Sequence, residues 1–283
     1  MTFFQKKFFI AVSISIVSMA SVSYWLYNRA FLSTDNAYIN ANIVQISPRI
    51  SGQVRNIYVS DNQFVKEGQL LFDIDPIPYE INVNEARAQY DRDAAQLYIA
   101  QITAKRTLEL VEKRVASAQE GDVAKATQQS ATAALELSKA HLEKAILDLK
   151  YTKVTAPTSG WITNMTLRMG NMIIENQPLF ALISNNQFWV DANFKETNLS
   201  KIHPGQKVDV RIDMYPNHLY SGIVDSISGG SGTAFSLLPP QNATGNWVKV
   251  TQRVPVRINL TRLNPDFPLR IGTSAIVTIH LKQ

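Results

Sequence analysis

The chain has 283 residues, no cysteine, a hydrophobic fraction of 45% and a formal net charge of +5. That length allows one large domain or two to three small ones, and the missing cysteines exclude disulfides, thiolate zinc sites, thiol nucleophiles and a lipid-modified cysteine anchor. Lys and Arg are spread without a basic run interleaved with aromatics, which argues against a nucleic-acid partner and fits a mildly basic surface near an anionic membrane.

Residues 1–7 form a short N-terminus carrying Lys6 and Lys7. Phe8 to Tyr27 then runs for about twenty residues without a charge, enough for a helix across a ~30 Å hydrocarbon core. The two lysines before it and Tyr24, Trp25 and Tyr27 at its end predict a transmembrane helix over 8–27 with the N-terminus cytoplasmic and the rest outside. A cleaved signal peptide is the competing reading, opposed by the length of the stretch and by aromatics where small residues are needed.

Residues 28–42 read as a linker and first strand. After it, Gly52–Ile74 (GQVRNIYVSDNQFVKEGQLLFDI) and Gly160–Leu182 (GWITNMTLRMGNMIIENQPLFAL) align without a gap. Gly52 matches Gly160, Asn56 matches Asn164, Glu67 matches Glu175, Gln69 matches Gln177, and Leu71-Phe72 matches Leu179-Phe180. Val54, Ile57, Val59 and Val65 face Ile162, Met165, Leu167 and Ile173 in the same alignment. Neither copy is long enough to bury a core, so the two are expected to close on each other as one β-sandwich.

What separates the copies is helical. Asp75-Pro76-Ile77-Pro78 stops the β-pattern and suits a helix start. Val83, Ala86, Tyr90, Ala94, Leu97, Gln101, Ala104, Leu108, Val111 and Val115 then describe heptads with a stutter near Ala94. Ala131, Leu135, Ser138, Leu142, Ala145 and Leu149 repeat the spacing on the way back, predicting an antiparallel two-helix coiled coil with arms of roughly 55 Å. Ser117-Ala118-Gln119-Glu120 fits a capping box and puts the tip near Arg114–Ser117. From residue 185 onward, five or six alternating segments predict a small antiparallel barrel, interrupted by the Gly229–Gly245 loop with Phe235, Leu237 and Leu238 beside two prolines.

The chemistry-bearing residues are sparse. The four histidines (His141, His203, His218, His280) show no metal-ligand spacing, and no GxSxG, P-loop or dinucleotide fingerprint occurs. Asp73 and Asp75 are expected to be turn and capping residues. The sequence therefore predicts no enzyme, no catalytic residue, no cofactor and no metal site. Two surface features remain: Arg106, Leu110 and Ser117 at the tip, and the apolar Phe235–Leu238 segment, which suits a partner or membrane contact.

Split half-motifs around a helical hairpin resemble the lipoyl-like domains of membrane fusion proteins, the periplasmic adaptors of the HlyD superfamily. Within it the chain is similar to the EmrA-like branch, most specifically over Val190–Thr197 (VDANFKET), Gly232–Leu238, Gln241–Trp247, Arg253–Ile258 and Pro268–Gly272. The resemblance runs from Asp35 to the end and implies an α+β fold, mainly β with a long α-helical hairpin. Its parts would be an N-terminal transmembrane helix, a split lipoyl-like (barrel-sandwich hybrid) domain with halves at 43–76 and 153–184, a coiled-coil hairpin over 77–152, and a C-terminal small β-barrel over 185–283. It implies a multidrug efflux adaptor, anchored by a single pass in the bacterial inner membrane with its bulk periplasmic. Its partners would be an inner-membrane major facilitator superfamily transporter, a TolC-like outer-membrane channel and further copies of itself, as a trimer or hexamer. The alternative is an adaptor of an ABC-driven type I secretion system. In many adaptors Arg-x3-Leu-x6-Ser at the tip engages the channel, and Arg106, Leu110 and Ser117 reproduce that spacing. Phe235, Leu237 and Leu238 are the corresponding candidates for transporter or membrane contact. A swinging-arm carrier role is disfavoured, because the hairpin replaces the turn that bears the carrier lysine. The hairpin is also shorter than in familiar members.

Overall fold

A computed structural model describes residues 18–19, 30–232, 250–262, 264 and 266–281. The anchor expected over 8–27 falls outside them apart from Ser18 and Met19, and no described helix is long and apolar enough to cross a membrane. Phe235, Leu237 and Leu238 also lie outside the described residues. In chain order the elements are β1 (Phe31–Ile46), β2 (Gly52–Ile57), β3 (Phe64–Val65), β4 (Leu70–Ile74), α1 (Ile77–Glu112) and α2 (Ala118–Tyr151). They continue with β5 (Lys153–Thr155), β6 (Gly160–Thr163), β7 (Met172–Ile173), β8 (Phe180–Lys195), β9 (Lys207–Ile212), β10 (Leu219–Ile227), β11 (Arg253–Leu260) and β12 (Ser274–His280). The chain divides into two compact units, one of residues 43–184 and one of residues 1–42 with 185–283.

In the first unit the two copies of the repeat exchange strands. Gly52 of β2 pairs with Ile173 of β7, and the equivalent residues of the other copy, Gly160 of β6 and Val65 of β3, pair in the same way. The connecting hydrogen bonds obey the same pseudo-twofold relation. Val54 N–H donates to Asn171 O at 2.9 Å and Ile162 N–H to Gln63 O at 3.0 Å, while Gly68 N–H reaches Ala156 O at 2.8 Å and Asn176 N–H reaches Pro48 O at 2.9 Å. Ser51 Oγ accepts from Glu175 N–H and Ser159 Oγ from Glu67 N–H, each at 3.0 Å. These serines precede the matched windows, so the repeat reaches further back than the alignment of Gly52 with Gly160.

The matched residues earn their places physically. A Cβ on Gly52 would run into the Ile74 side chain, and one on Gly160 would overlap the Ile183 carbonyl, so both copies need glycine where the strands cross closely. Two further equivalences are invisible as identities. Asn62 (φ 61°) corresponds to Gly170 (φ 84°), and Gly68 (φ 77°) to Asn176 (φ 62°). Each copy turns through the left-handed region at the same two points and fills it with one of the two residue types that tolerate it. Val54, Val65, Phe72 and Ile74 are buried together with their counterparts Ile162, Ile173, Phe180 and Leu182, and the Phe72 and Phe180 rings meet edge to face at 6.1 Å. Each such side chain contributes about 1.5–3 kcal/mol by leaving water.

Asp75 Oδ1 accepts Ile77 N–H at 3.3 Å in the turn before α1, but the N-cap is Pro76 and no side chain caps this helix, so Asp75 is a turn residue and not the cap. Asp73 is not a turn residue: it lies in β4 and accepts from Asn56 N–H at 2.6 Å and the Tyr58 hydroxyl at 3.1 Å. The helices pack as an antiparallel pair, and the return seam of Ala131, Leu135, Ser138, Leu142, Ala145 and Leu149 is buried or half-buried as expected. The outgoing seam differs. Gln101 and Leu108 are exposed, and the covered positions include Val83, Ala86, Tyr90, Asp93, Leu97, Ala100, Ala104, Thr107 and Val111 in steps of three and four, with Gln89, Ala94 and Ile102 half-covered beside them. Hydrophobicity misleads at Asp93 because the interface there is polar. Asp93 accepts from Gln89 Nε2 at 2.8 Å, and that bond, the Ser138 hydroxyl of α2 and Arg92 hold its carboxyl below the usual range against the opposing effect of burial.

The second unit is a closed antiparallel barrel. Its strands follow the order β1-β12-β9-β10-β11-β8, and β1 returns to β8. The long strand β1 thus supplies the sixth stave, beside the five strands read after residue 185. Thr34 Oγ1 donates to Asn193 O at 3.0 Å, and Asn193 Nδ2 donates to Asn36 Oδ1 at 3.0 Å across the closing seam. Alternate residues fill the interior, among them Ile39, Val190, Phe194, Val210, Tyr220, Val256, Ile258 and Val277. The Tyr220 hydroxyl donates to Phe267 O at 3.3 Å, and burial raises its pKa.

Candidate docking tip of the helical hairpin

The turn between the arms occupies Lys113–Ser117, between the end of α1 and the start of α2. Arg114 N–H donates to Val111 O and Val115 N–H to Leu110 O, both at 2.9 Å, the two bonds of a Schellman C-cap. The position that glycine usually takes there is filled by Arg114, with φ 59°. No sequence signal announced this stop, since the turn contains no glycine or proline.

Ser117 then opens α2 with the capping box that its spacing predicted. Its hydroxyl accepts Glu120 N–H at 3.3 Å, and the Glu120 carboxylate accepts from Ser117 N–H at 2.7 Å and from the Ser117 hydroxyl at 3.1 Å. The Ser117 N–H, and after it the hydroxyl, lower the Glu120 pKa. One turn into α2, a Cβ on Gly121 would sit 3.3 Å from Val111 Cγ2, so the arms approach closely just behind the tip.

Of the three residues singled out by spacing, Leu110 and Ser117 line one groove of about 800 Å3 with Thr103, Thr107, Ala116 and Val123. Arg106 is exposed one turn before Leu110, about 6 Å along the axis, and does not line that groove. Leu110 and Val115 are 44% and 73% exposed, so the tip presents apolar surface that its own fold leaves wet. Neither Arg106 nor Arg114 has an ion-pair partner among the described residues. The tip holds nothing resembling a reactive nucleophile or acid–base pair, and among the described residues no cluster of His, Asp and Glu is arranged to hold a metal ion. Val115 and Arg114 were not singled out as functional residues from sequence.

Two domain families match the chain. The RND MFP barrel-sandwich hybrid domain covers residues 42–185 and the AAEA-like β-barrel domain residues 187–280. The probable multidrug resistance protein EmrK of Escherichia coli is 33% identical over 99% of this chain and 85% of its own length. Multidrug export protein EmrA of the same organism is 31% identical over 91% of this chain and 78% of its own. The solved periplasmic adaptor protein EmrA shares the fold, with a TM-score of 0.51 and 18% identity over 89% of this chain and 99% of that one. A strand-exchanged split sandwich, a two-helix arm inserted between its halves and a closed barrel are the architecture these matches require, and the chain belongs to the EmrA-like membrane fusion proteins, the periplasmic adaptors of multidrug efflux.

Proposed function

We propose that the chain links an inner-membrane drug exporter of the major facilitator superfamily to a TolC-like outer-membrane channel, without catalysis of its own. The segment 8–27 anchors it in the inner membrane by a single pass. Copies assemble as a trimer or hexamer, and their tips meet the channel through Arg106, Leu110 and Ser117. The observation that carries this reading is an arm projecting from a split sandwich and ending in exposed Leu110 and Val115 next to a rigidly capped Ser117. A long stiff insert with a wet apolar end is explained by a partner at that end. Individually weak tips suffice when several engage together.

Phe235, Leu237 and Leu238 are assigned to transporter or membrane contact. Barrel topology supports this: β10 leaves at Ile227 and β11 enters at Arg253, and Arg253 pairs with Lys195 at the end of β8. At the same end β1 begins with Phe31 opposite His280, next to the Ile279–Val208 pair. The segment between Ile227 and Arg253 therefore leaves the barrel from the end at which the chain arrives from residues 8–27. The test is deletion of the adaptor gene beside deletion of the exporter gene, each against a panel of toxic compounds. Matching hypersusceptibility profiles are expected; a profile confined to the exporter deletion contradicts the reading.

A further inference from the structure

Four non-glycine residues among those described have positive φ; three are asparagines, and the fourth is Arg114 at 59°. Asparagine enters that region with help from its short polar side chain, whereas arginine takes it at a steric cost that glycine would avoid. The C-cap geometry itself does not ask for arginine, because both of its hydrogen bonds come from backbone groups. The strain places a guanidinium at the apex of the arm, directly after Lys113 and directly before Val115, which is 73% exposed. The nearby Glu120 carboxylate is occupied by Ser117 and is not paired with either cation.

We propose that Arg114 and Val115 form a second contact pair at the tip. Arg114 serves a carboxylate on the end of the outer-membrane channel, and Val115 fills an apolar notch beside it. This rests on the docking function proposed above and adds a specificity-determining residue to Arg106, Leu110 and Ser117. A planar guanidinium suits bidentate carboxylate recognition, and strain retained at an exposed apex is what a contact residue leaves behind in the unbound state.

The test uses the full-length chain restored to the deletion strain as Arg114→Gly, Arg114→Asn, Arg114→Lys, Arg106→Asp or Ser117→Arg. Inhibitory concentrations are read for the compounds to which the deletion strain is hypersusceptible, and melting is followed on the purified full chain in micelles. Arg114→Gly should melt higher than the parent yet lose about fourfold or more in resistance, because an exposed pair of modest strength is multiplied over several copies. Arg114→Asn, which keeps the backbone and removes the charge, should lose as much, while Arg114→Lys, which keeps the charge but loses the planar fork, should recover only part of the resistance. Parental resistance in both Arg114→Gly and Arg114→Asn overturns the inference. If Arg106→Asp and Ser117→Arg lose export while those two do not, this inference alone fails; if all four export normally, the docking function fails with it.

Discussion

Ser117 caps α2 and is proposed to meet the partner as well, and substitutions separate the two roles. Its hydroxyl accepts Glu120 N–H at 3.3 Å and donates to the Glu120 carboxylate at 3.1 Å, so Ser117→Ala removes both and leaves only the backbone Ser117 N–H to Glu120. Loss of a serine N-cap costs about 1 kcal/mol, which lowers the melting temperature of a unit of this size by about 3 °C. Ser117→Asn supplies an equally good cap and should melt within about 1 °C of the parent. The assay is thermal melting of the full chain in micelles by far-UV circular dichroism, which reports the two long arms. Ser117→Arg loses the cap as well, so its loss of export alone is ambiguous. Ser117→Asn resolves it: the larger amide in the groove should lower export while melting is unchanged. If export tracks melting temperature across Ala, Arg and Asn and is fully normal in Ser117→Asn, the serine serves the fold only and the docking assignment is refuted.

Three further outcomes follow from the sandwich and the seam. Gly160→Ala should destabilise more than Gly52→Ala, by about 2–3 kcal/mol against about 1, because its Cβ meets the Ile183 backbone and not the end of the Ile74 side chain; equal denaturant midpoints for the two would contradict this. Ser51→Ala and Ser159→Ala should each cost about 1 kcal/mol and match one another, since each removes one 3.0 Å bond in equivalent turns; a large inequality would break the pseudo-twofold account. Asp93 and Glu120 have folded pKa values below their unfolded ones, so the stability they add is present above about pH 4 and is lost as pH falls through the folded values. The double variant Asp93→Asn/Glu120→Gln should therefore show a smaller drop in hairpin melting between about pH 6 and about pH 3 than the parent, and an identical drop would reject the assignment.

The repeat was legible because its apolar alternation and its glycines answer to packing, and packing is what sequence pattern records. Its turns were less so: Asn62 and Gly170, or Gly68 and Asn176, look like mismatches although they satisfy one backbone requirement. The heptads of α2 match the buried seam, whereas on α1 apolar spacing points to exposed Gln101 and Leu108 and passes over half-covered Asp93, whose seam contacts are polar. The capping box at Ser117 was visible four residues at a time. The Arg114 cap was not, since a left-handed arginine has no signature in sequence. The closing role of β1 in the barrel was hidden too, because a pairing between Phe31 and His280 spans nearly the whole chain.

The central claim is that the hairpin tip touches an outer-membrane channel. It is tested most directly by placing a photoreactive amino acid at Leu110 of the full-length adaptor, irradiating living cells and identifying the adduct by mass spectrometry. The account predicts an adduct with a TolC-like channel that disappears when Arg106→Asp is added and that is absent when the same probe replaces exposed Leu137 midway along the other arm. Adducts from Leu110 only with inner-membrane proteins, or with another copy of the adaptor, would contradict it.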